Sequence, residues 1–274
     1  MELKELVRLS LEEDLGTGDI TTGLLDLPKT LVDAVVVAKE SGVIAGLNVF
    51  EEVFKQVDPD IKITFYNKDG DLVQKKDIIL KIEGNPSAIL KAERVALNFI
   101  QRMSGIASKT AEMVNEISET DAKLLDTRKT TPLLRQLEKY SVKVGGGFNH
   151  RFGLYDMIML KENHIRSAGS IAMAVERVKL HNCTYKVEVE VTNLEELKEA
   201  VNAGVDRVML DNMSIADMTK AVELYKGLLE IEASGNVKLE TIKEIAETGV
   251  DYISCGAITH SYTSLDISLL FREF

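Results

Sequence analysis

From Asp121 onward the sequence alternates with a regularity that few folds tolerate. Apolar or β-branched runs at 122–127, 156–161, 186–191, 207–211, 228–234 and 252–256 read as strands. Segments of helical spacing at 132–140, 168–181, 193–203, 214–224 and 238–248 lie between them. Strands that recur every roughly twenty to thirty residues with helices between are βα units, and such units build a parallel sheet. Two turns repeat as well. Ala203-Gly204-Val205-Asp206 and Thr248-Gly249-Val250-Asp251 each place glycine at a helix end just before a strand. The repetition predicts a barrel rather than an open doubly wound sheet.

In a parallel barrel the βα loops converge at the C-terminal strand ends, and chemistry is found there. Those positions are polar in succession here: Thr127-Arg128-Lys129, Lys161, Glu190, Asp211, Ser234-Gly235-Asn236 and Gly256. A triple glycine, Gly145-Gly146-Gly147, leads into Asn149-His150-Arg151, so Arg128, Lys129, His150, Arg151 and Lys161, all cationic or able to become so, fall near strand ends or glycine-rich turns within one short stretch. The chain as a whole carries a net charge of -11. A cationic cluster on an acidic protein points to a small polyanionic ligand, and the overall charge argues against nucleic acid or an anionic membrane as partner.

Each part of the array has a distinct use. Arginine meets carboxylate or phosphate with a two-pronged fork, while lysine acts as a mobile point charge. Glu190 and Asp211 end adjacent βα units, and two acids beside a phosphate site suit Mg²⁺, which completes its shell with water and phosphate oxygens. Glu188 lies two residues earlier on the same strand face; Glu190 is preferred for its place at the strand end. Ser234-Gly235-Asn236 and Ser254-Cys255-Gly256 are turns able to offer backbone N–H groups to a phosphate. Together these describe a site for a phosphorylated, Mg²⁺-bound substrate beside a second anion.

The first hundred residues read differently, as α+β. A first helix bears Leu3, Leu6, Val7, Leu9 and Leu11, and the turn from Glu13 to Asp19 lacks calcium-loop spacing and reads as turn and capping chemistry. Strands are expected at 31–38, 61–66 and 78–82, with a hairpin signal at Lys68-Asp69-Gly70-Asp71. Leu47, Val49, Phe50, Val53, Phe54 and Val57 recur at helical spacing. A long helix starts after Asn85-Pro86, is expected to be interrupted at Ser104-Gly105, and continues from Ile106 to Ile117. The expected division is an N-terminal domain over 1–108, a barrel over 109–261, and a tail over 262–274 packing back on the first domain. No run approaches the order of 18 apolar residues that a membrane span needs. The N-terminus lacks the apolar core of a secretory signal. Cys183 and Cys255 lack zinc-ligand spacing and are expected to be buried thiols in a reducing cytoplasm.

The motifs also carry a resemblance that spans nearly the whole chain. EDLGTGDITT at 13–22, AERVALNFIQRMSGIAS at 92–108, the stretch from DTRKTTP through GGGFNHR to LKENHI at 126–165, VEVEV at 187–191, MLDNMS at 209–214, EASGNV at 232–237 and ISCGAITHS at 253–261 closely resemble the quinolinate phosphoribosyltransferases. LDN or SGN alone would be a weak signal; TRKTTP with GGGFNHR and LKENH is specific. The resemblance implies an incomplete α/β barrel beside an α/β N-terminal domain, and a homodimer with shared sites. The implied activity moves the phosphoribosyl group of phosphoribosyl pyrophosphate to the nitrogen of quinolinate with loss of CO₂. No organic cofactor is implied. By the same resemblance Arg128, His150, Arg151 and Lys161 would hold the two carboxylates, with Arg102 reaching in from the partner subunit. Lys129 and Lys161 would contact phosphoribosyl pyrophosphate, and Glu190 and Asp211 the ribose hydroxyls and Mg²⁺. Ser234, Gly235, Asn236 and Gly256 would cradle the 5′-phosphate, with Thr127, Cys255 and Ala257 also at the substrates. Asn236 stands where many relatives have a second glycine, the residue free to take either sign of φ.

Overall fold

A computed structural model describes residues 1–25, 27, 30–181 and 184–272. Cys183 therefore lies outside the described residues. The chain forms two compact units: 1–109 with 136–145 and 262–274, and 110–135 with 146–261.

In chain order the first elements are α1 (Leu3–Leu15), α2 (Ile20–Leu24), β1 (Val32–Ala38), β2 (Gly42–Val43), α3 (Leu47–Val57), β3 (Lys62–Phe65), β4 (Leu72–Val73), β5 (Ile78–Gly84) and α4 (Pro86–Glu116). Asp19 caps α2 by accepting the Thr22 N–H at 3.0 Å, so the 13–19 turn is capping chemistry as expected. β3 pairs antiparallel with β5. The turn at 68–71 does not join those two strands directly. It leads into β4, which pairs with β2, and Asp69 accepts the N–H groups of Gly46 and Leu47.

α4 departs from expectation, because it runs unbroken for 31 residues through Ser104 and Gly105. Those two residues serve close packing. Ser104 Oγ accepts the Ala45 N–H at 3.0 Å, and a Cβ on Gly105 would stand 2.2 Å from the Thr263 carbonyl oxygen. A small residue is needed where backbone approaches the helix, and the helical hydrogen bonds continue past it.

The remaining elements are β6 (Lys123–Leu125), α5 (Arg135–Val144), β7 (Ile158–Leu160), α6 (Glu162–Ala168), α7 (Ile171–Leu180), β8 (Val187–Val191), α8 (Leu194–Ala203), β9 (Arg207–Asp211), α9 (Ile215–Tyr225), β10 (Glu230–Ser234), α10 (Leu239–Glu247), β11 (Tyr252–Ser254), α11 (Ala257–His260) and β12 (Ile267–Phe271). β12 pairs antiparallel with β1, in a sheet ordered β12-β1-β5-β3. The second unit holds a parallel sheet ordered β6-β11-β10-β9-β8-β7. Every predicted barrel strand is present: β9 has the expected bounds, and the others are shorter at one or both ends. The sheet stays incomplete: among the described residues no ladder joins β6 to β7, and only a bridge from Leu125 to Phe148 extends its β6 edge. The helix expected over 168–181 is preceded by a separate one, α6, which ends at Gly169 before Ser170 caps α7.

Period-2 alternation makes the barrel interior. Along β8, Val187, Val189 and Val191 are buried on one face, and Glu188 and Glu190 occupy the other. Register sets Glu188 beside Arg207 and Glu190 beside Met209, with Glu232 also beside Met209 and Ser234 beside Asp211. Acids thus stand at successive depths inside the sheet.

Candidate active site

A cavity of about 820 Å³ opens at the C-terminal ends of these strands. Thr127, Arg128, Lys129, His150, Arg151, Lys161, Glu190, Asp211, Ser234, Gly235, Asn236, Cys255, Gly256 and Ala257 line it. Fourteen residues scattered over the sequence of the second unit are thereby brought together. Arg102 is not among the lining residues. Its Nη2 donates to Glu138 Oε1 at 2.5 Å, and its guanidinium lies 5.1 Å from the Tyr262 ring centre.

The cationic wall rests on two chain segments. β6 ends into Thr127–Lys129, where the Lys129 N–H donates to Thr127 Oγ1 at 3.0 Å and Thr259 Oγ1 donates to the Lys129 carbonyl at 2.9 Å. Beside it, Phe148 exchanges backbone bonds with Leu124 and Asp126, and the His150 N–H donates to Asp126 Oδ1 at 2.8 Å. That pairing is what aims His150 and Arg151 at the cavity. Arg151 donates through Nη1 to the Met157 carbonyl at 3.2 Å. Burial, and then the nearby Arg128 guanidinium, lower its pKa.

Lys161, at the end of β7, and Glu190 form an ion pair at 2.5 Å. Glu190 lines the cavity, whereas Glu188 is fully buried and is not among the lining residues. Glu188 Oε2 lies 3.1 Å from His150 Nε2, and Glu232 Oε2 lies 3.4 Å from the same nitrogen, neither aligned as a good hydrogen bond. Burial works against charge on the imidazole, but the two carboxylates outweigh it and hold its pKa up at about 9. Nδ1 accepts the Arg151 N–H at 2.7 Å, which in the neutral ring leaves the single ring proton on Nε2, facing the two carboxylates. Burial raises the pKa of Glu188, partly offset by His150. Arg207 seals the cluster from below, with Nη1 3.2 Å from Glu232 Oε2 and Nε and Nη2 on Glu230 Oε2.

Two places have donors a cation would take. His150, Glu188 and Glu232 offer ligand atoms within 4.8 Å of one another. Arg207 already supplies the balancing charge there, so that cluster is a buried ion network. Glu190 and Asp211 are different: both line the open cavity on neighbouring strands, and two carboxylates with room for phosphate oxygens fit Mg²⁺.

The turn at Ser234–Asn236 has a neighbour just past the end of β9. Asn212, with φ 54°, lines the cavity and accepts from Asn236 Nδ2 at 2.9 Å through Oδ1, while its Nδ2 donates to Asp211 Oδ2 at 3.0 Å. Gly235 takes φ 94°, and a Cβ there would meet Asn212 Oδ1 at 2.3 Å. Asn236 itself adopts φ 51°, a conformation asparagine tolerates, so the turn forms without the second glycine. The pairing of LDN with SGN was the available signal. Ser254, the first residue of the expected Ser254-Cys255-Gly256 turn, also lines the cavity, as do Met159, Met209, Val237, Lys238 and His260, which carried no strand-end signal. Cys255 is a buried thiol, as expected, donating to the Val237 carbonyl at 3.6 Å.

The fold and cavity define an α/β-barrel protein of the kind that works on small anions at the mouth of a parallel sheet. Residues 19–104 match the N-terminal domain, and residues 106–270 the C-terminal domain, of quinolinate phosphoribosyl transferase. The chain belongs to that family. It is 46% identical to the chloroplastic nicotinate-nucleotide pyrophosphorylase [carboxylating] of Arabidopsis thaliana, over 98% of this chain and 82% of that protein. It is 45% identical to a mitochondrial quinolinate phosphoribosyltransferase [decarboxylating] of Nicotiana tabacum, with the same coverage. The solved nicotinate-nucleotide pyrophosphorylase of Francisella tularensis is 46% identical and superposes with a TM-score of 0.95, over 98% of this chain and 96% of that one.

Proposed function

We propose that this chain transfers the phosphoribosyl group of phosphoribosyl pyrophosphate to the ring nitrogen of quinolinate. The products are nicotinate mononucleotide, pyrophosphate and CO₂, which makes it a carboxylating-type nicotinate-nucleotide diphosphorylase of NAD biosynthesis. The observation that carries the reading is the division of one cavity into a cationic wall, an acidic pair and a turn of glycine, serine and asparagine.

Arg128, Arg151 and Lys161 face the two carboxylates, and His150 presents its ring edge while fixing the Arg151 amide. Ser234, Gly235, Asn236 and Gly256 receive the 5′-phosphate, with Thr127, Cys255 and Ala257 completing the walls. The pyridine nitrogen lone pair attacks the anomeric carbon as the C–O bond to pyrophosphate breaks. Positive charge grows on the sugar, and Glu190 and Asp211 stabilise it. Lys129 and Lys161 meet the departing negative charge. Glu190 and Asp211 would hold Mg²⁺, which neutralises the pyrophosphate when bound. The quaternary nitrogen then draws the C–C bonding pair back to the ring as CO₂ leaves, and the resulting carbanion takes a proton.

The reading extends to a cytoplasmic homodimer in which Arg102 serves the partner subunit's cavity. Among the described residues no helix is long and apolar enough to cross a membrane. The test is release of labelled CO₂ from quinolinate in the presence of phosphoribosyl pyrophosphate and Mg²⁺. Turnover is expected with quinolinate and not with nicotinate, and it should vanish with a chelator and return with Mg²⁺. Turnover of nicotinate alone, or full activity in metal-free buffer, would overturn it.

A further inference from the structure

The cationic wall poses a mechanical problem. Arg128 and Lys129 stand on the loop after β6, and Arg151 on the loop before β7. The stems of these loops are tied where Phe148 meets Leu124 and Asp126. Past that point the loops carry like charges facing one cavity; burial, then the Arg128 guanidinium, lower the Arg151 pKa, partly offset by Glu188 and Asp156. A site that waits in the binding geometry needs something behind it to hold the spacing.

Arg135 stands in that place. It is the first residue of α5 and does not line the cavity. Its Nε donates to Thr130 Oγ1 at 2.9 Å, its Nη1 donates to the Phe152 carbonyl at 2.9 Å, and Nη2 reaches the Arg128 carbonyl at 3.5 Å. The guanidinium carbon lies 6.0 Å from the Phe152 ring centre. One rigid fork thus touches both loops through backbone carbonyls, leaving the cavity-facing guanidinium groups of Arg128 and Arg151 for a ligand. Leu133, two residues before it, holds φ 67° on an exposed side chain. A branched residue enters that region at a cost, and strain of this kind persists where surrounding contacts impose it. Here it belongs to the tight turn that folds the chain back so that Arg135 reaches Arg128.

We propose that Arg135 is a positioning residue that clamps the loops bearing Arg128 and Arg151 at the separation a dicarboxylate requires. The proposal rests on the reading of this cavity as the quinolinate site. Lysine cannot substitute, since a single ammonium on a flexible stem lacks the planar fork that spans both loops.

The test compares Arg135→Lys and Arg135→Ala with the wild type, by steady-state kinetics and by hydrogen exchange of the 149–153 backbone amides. Both variants should raise the quinolinate KM about tenfold or more, the worth of one or two charge-assisted hydrogen bonds. The KM for phosphoribosyl pyrophosphate should change about twofold at most, a difference far smaller than one such bond would give. Millimolar guanidinium should restore activity to Arg135→Ala, and ammonium should not. Amides of the 149–153 loop should exchange faster in both variants. Equal rises in the two KM values, absence of guanidinium rescue, or unchanged exchange would overturn the proposal. Should Arg135→Ala not fold, the kinetics and exchange of Arg135→Lys decide. A wild type that fails to turn over quinolinate sinks the reading of the site, while the exchange measurement still reports the clamp by itself.

Discussion

At the scale of single residues, charge and depth decide roles. Arg151 is half-buried and faces the cavity, so Arg151→Ala should weaken quinolinate binding roughly ten- to a hundredfold, as expected for a lost charge-assisted contact, and phosphoribosyl pyrophosphate binding much less. Titration calorimetry with each ligand checks this; equal losses would remove Arg151 from the acid site. Arg207 illustrates depth. Its side chain is 11% exposed and neutralises Glu230 and Glu232 beneath His150. Arg207→Met should cost about 3–5 kcal/mol, because it leaves buried carboxylates without their cation. Denaturant unfolding measures it, and a change under about 1 kcal/mol, the range of an exposed pair, would show that the network carries no such burden. The cavity-lining residues were legible in the sequence where they end strands, since a parallel strand end fixes both place and direction. Asn212, Lys238 and His260 lie past the ends, where only the folded loop says which way a side chain turns. The choice between Glu188 and Glu190 had the same character: both share a face, and only depth in the barrel separates them.

At the scale of elements, local signals and packing sometimes point in opposite directions, and α4 shows which prevails. Serine and glycine in sequence read as a break, because glycine in a helix interior costs about 1 kcal/mol relative to alanine. The helix is continuous because Ser104 and Ser108 accept the N–H groups of Ala45 and Val43, and Gly105 admits the Thr263 carbonyl. Propensity alone predicts that Gly105→Ala stabilises the protein. The clash is with backbone, which cannot swing aside as a flexible side chain would, and overpacking of this kind costs about 1–3 kcal/mol. The expected net result is therefore a loss of stability and a lower melting temperature. A rise on Gly105→Ala would mean that the 262–265 segment yields freely. The barrel elements were legible for the opposite reason. There propensity, periodicity and glycine-terminated turns agree, as where Gly204 closes α8 in the left-handed conformation.

At the scale of the whole molecule, one residue of the expected site is accounted for differently. Arg102 belongs to the first unit and is held by Glu138, which is 1% exposed, and by the ring of Tyr262. That contact orients the guanidinium, much as a buried carboxylate orients a ligand-binding group elsewhere. A single sequence cannot reveal which copy of a chain such a group serves, because periodicity and spacing act within one chain. The proposed C2 dimer makes a quantitative prediction. Each protomer would give Arg102 to its partner's cavity and receive the partner subunit's Arg102 in its own. Arg102→Ala and Lys161→Ala should each be nearly inactive alone. After subunit exchange of equal amounts, about half the dimers are mixed, and in each of these one cavity has both residues and the other has neither. Activity should return to about a quarter of the wild-type value, one intact cavity in four. Native mass spectrometry of differently tagged chains confirms that heterodimers form. If they form and activity stays at the level of the parents, Arg102 serves its own chain or does not serve the cavity at all.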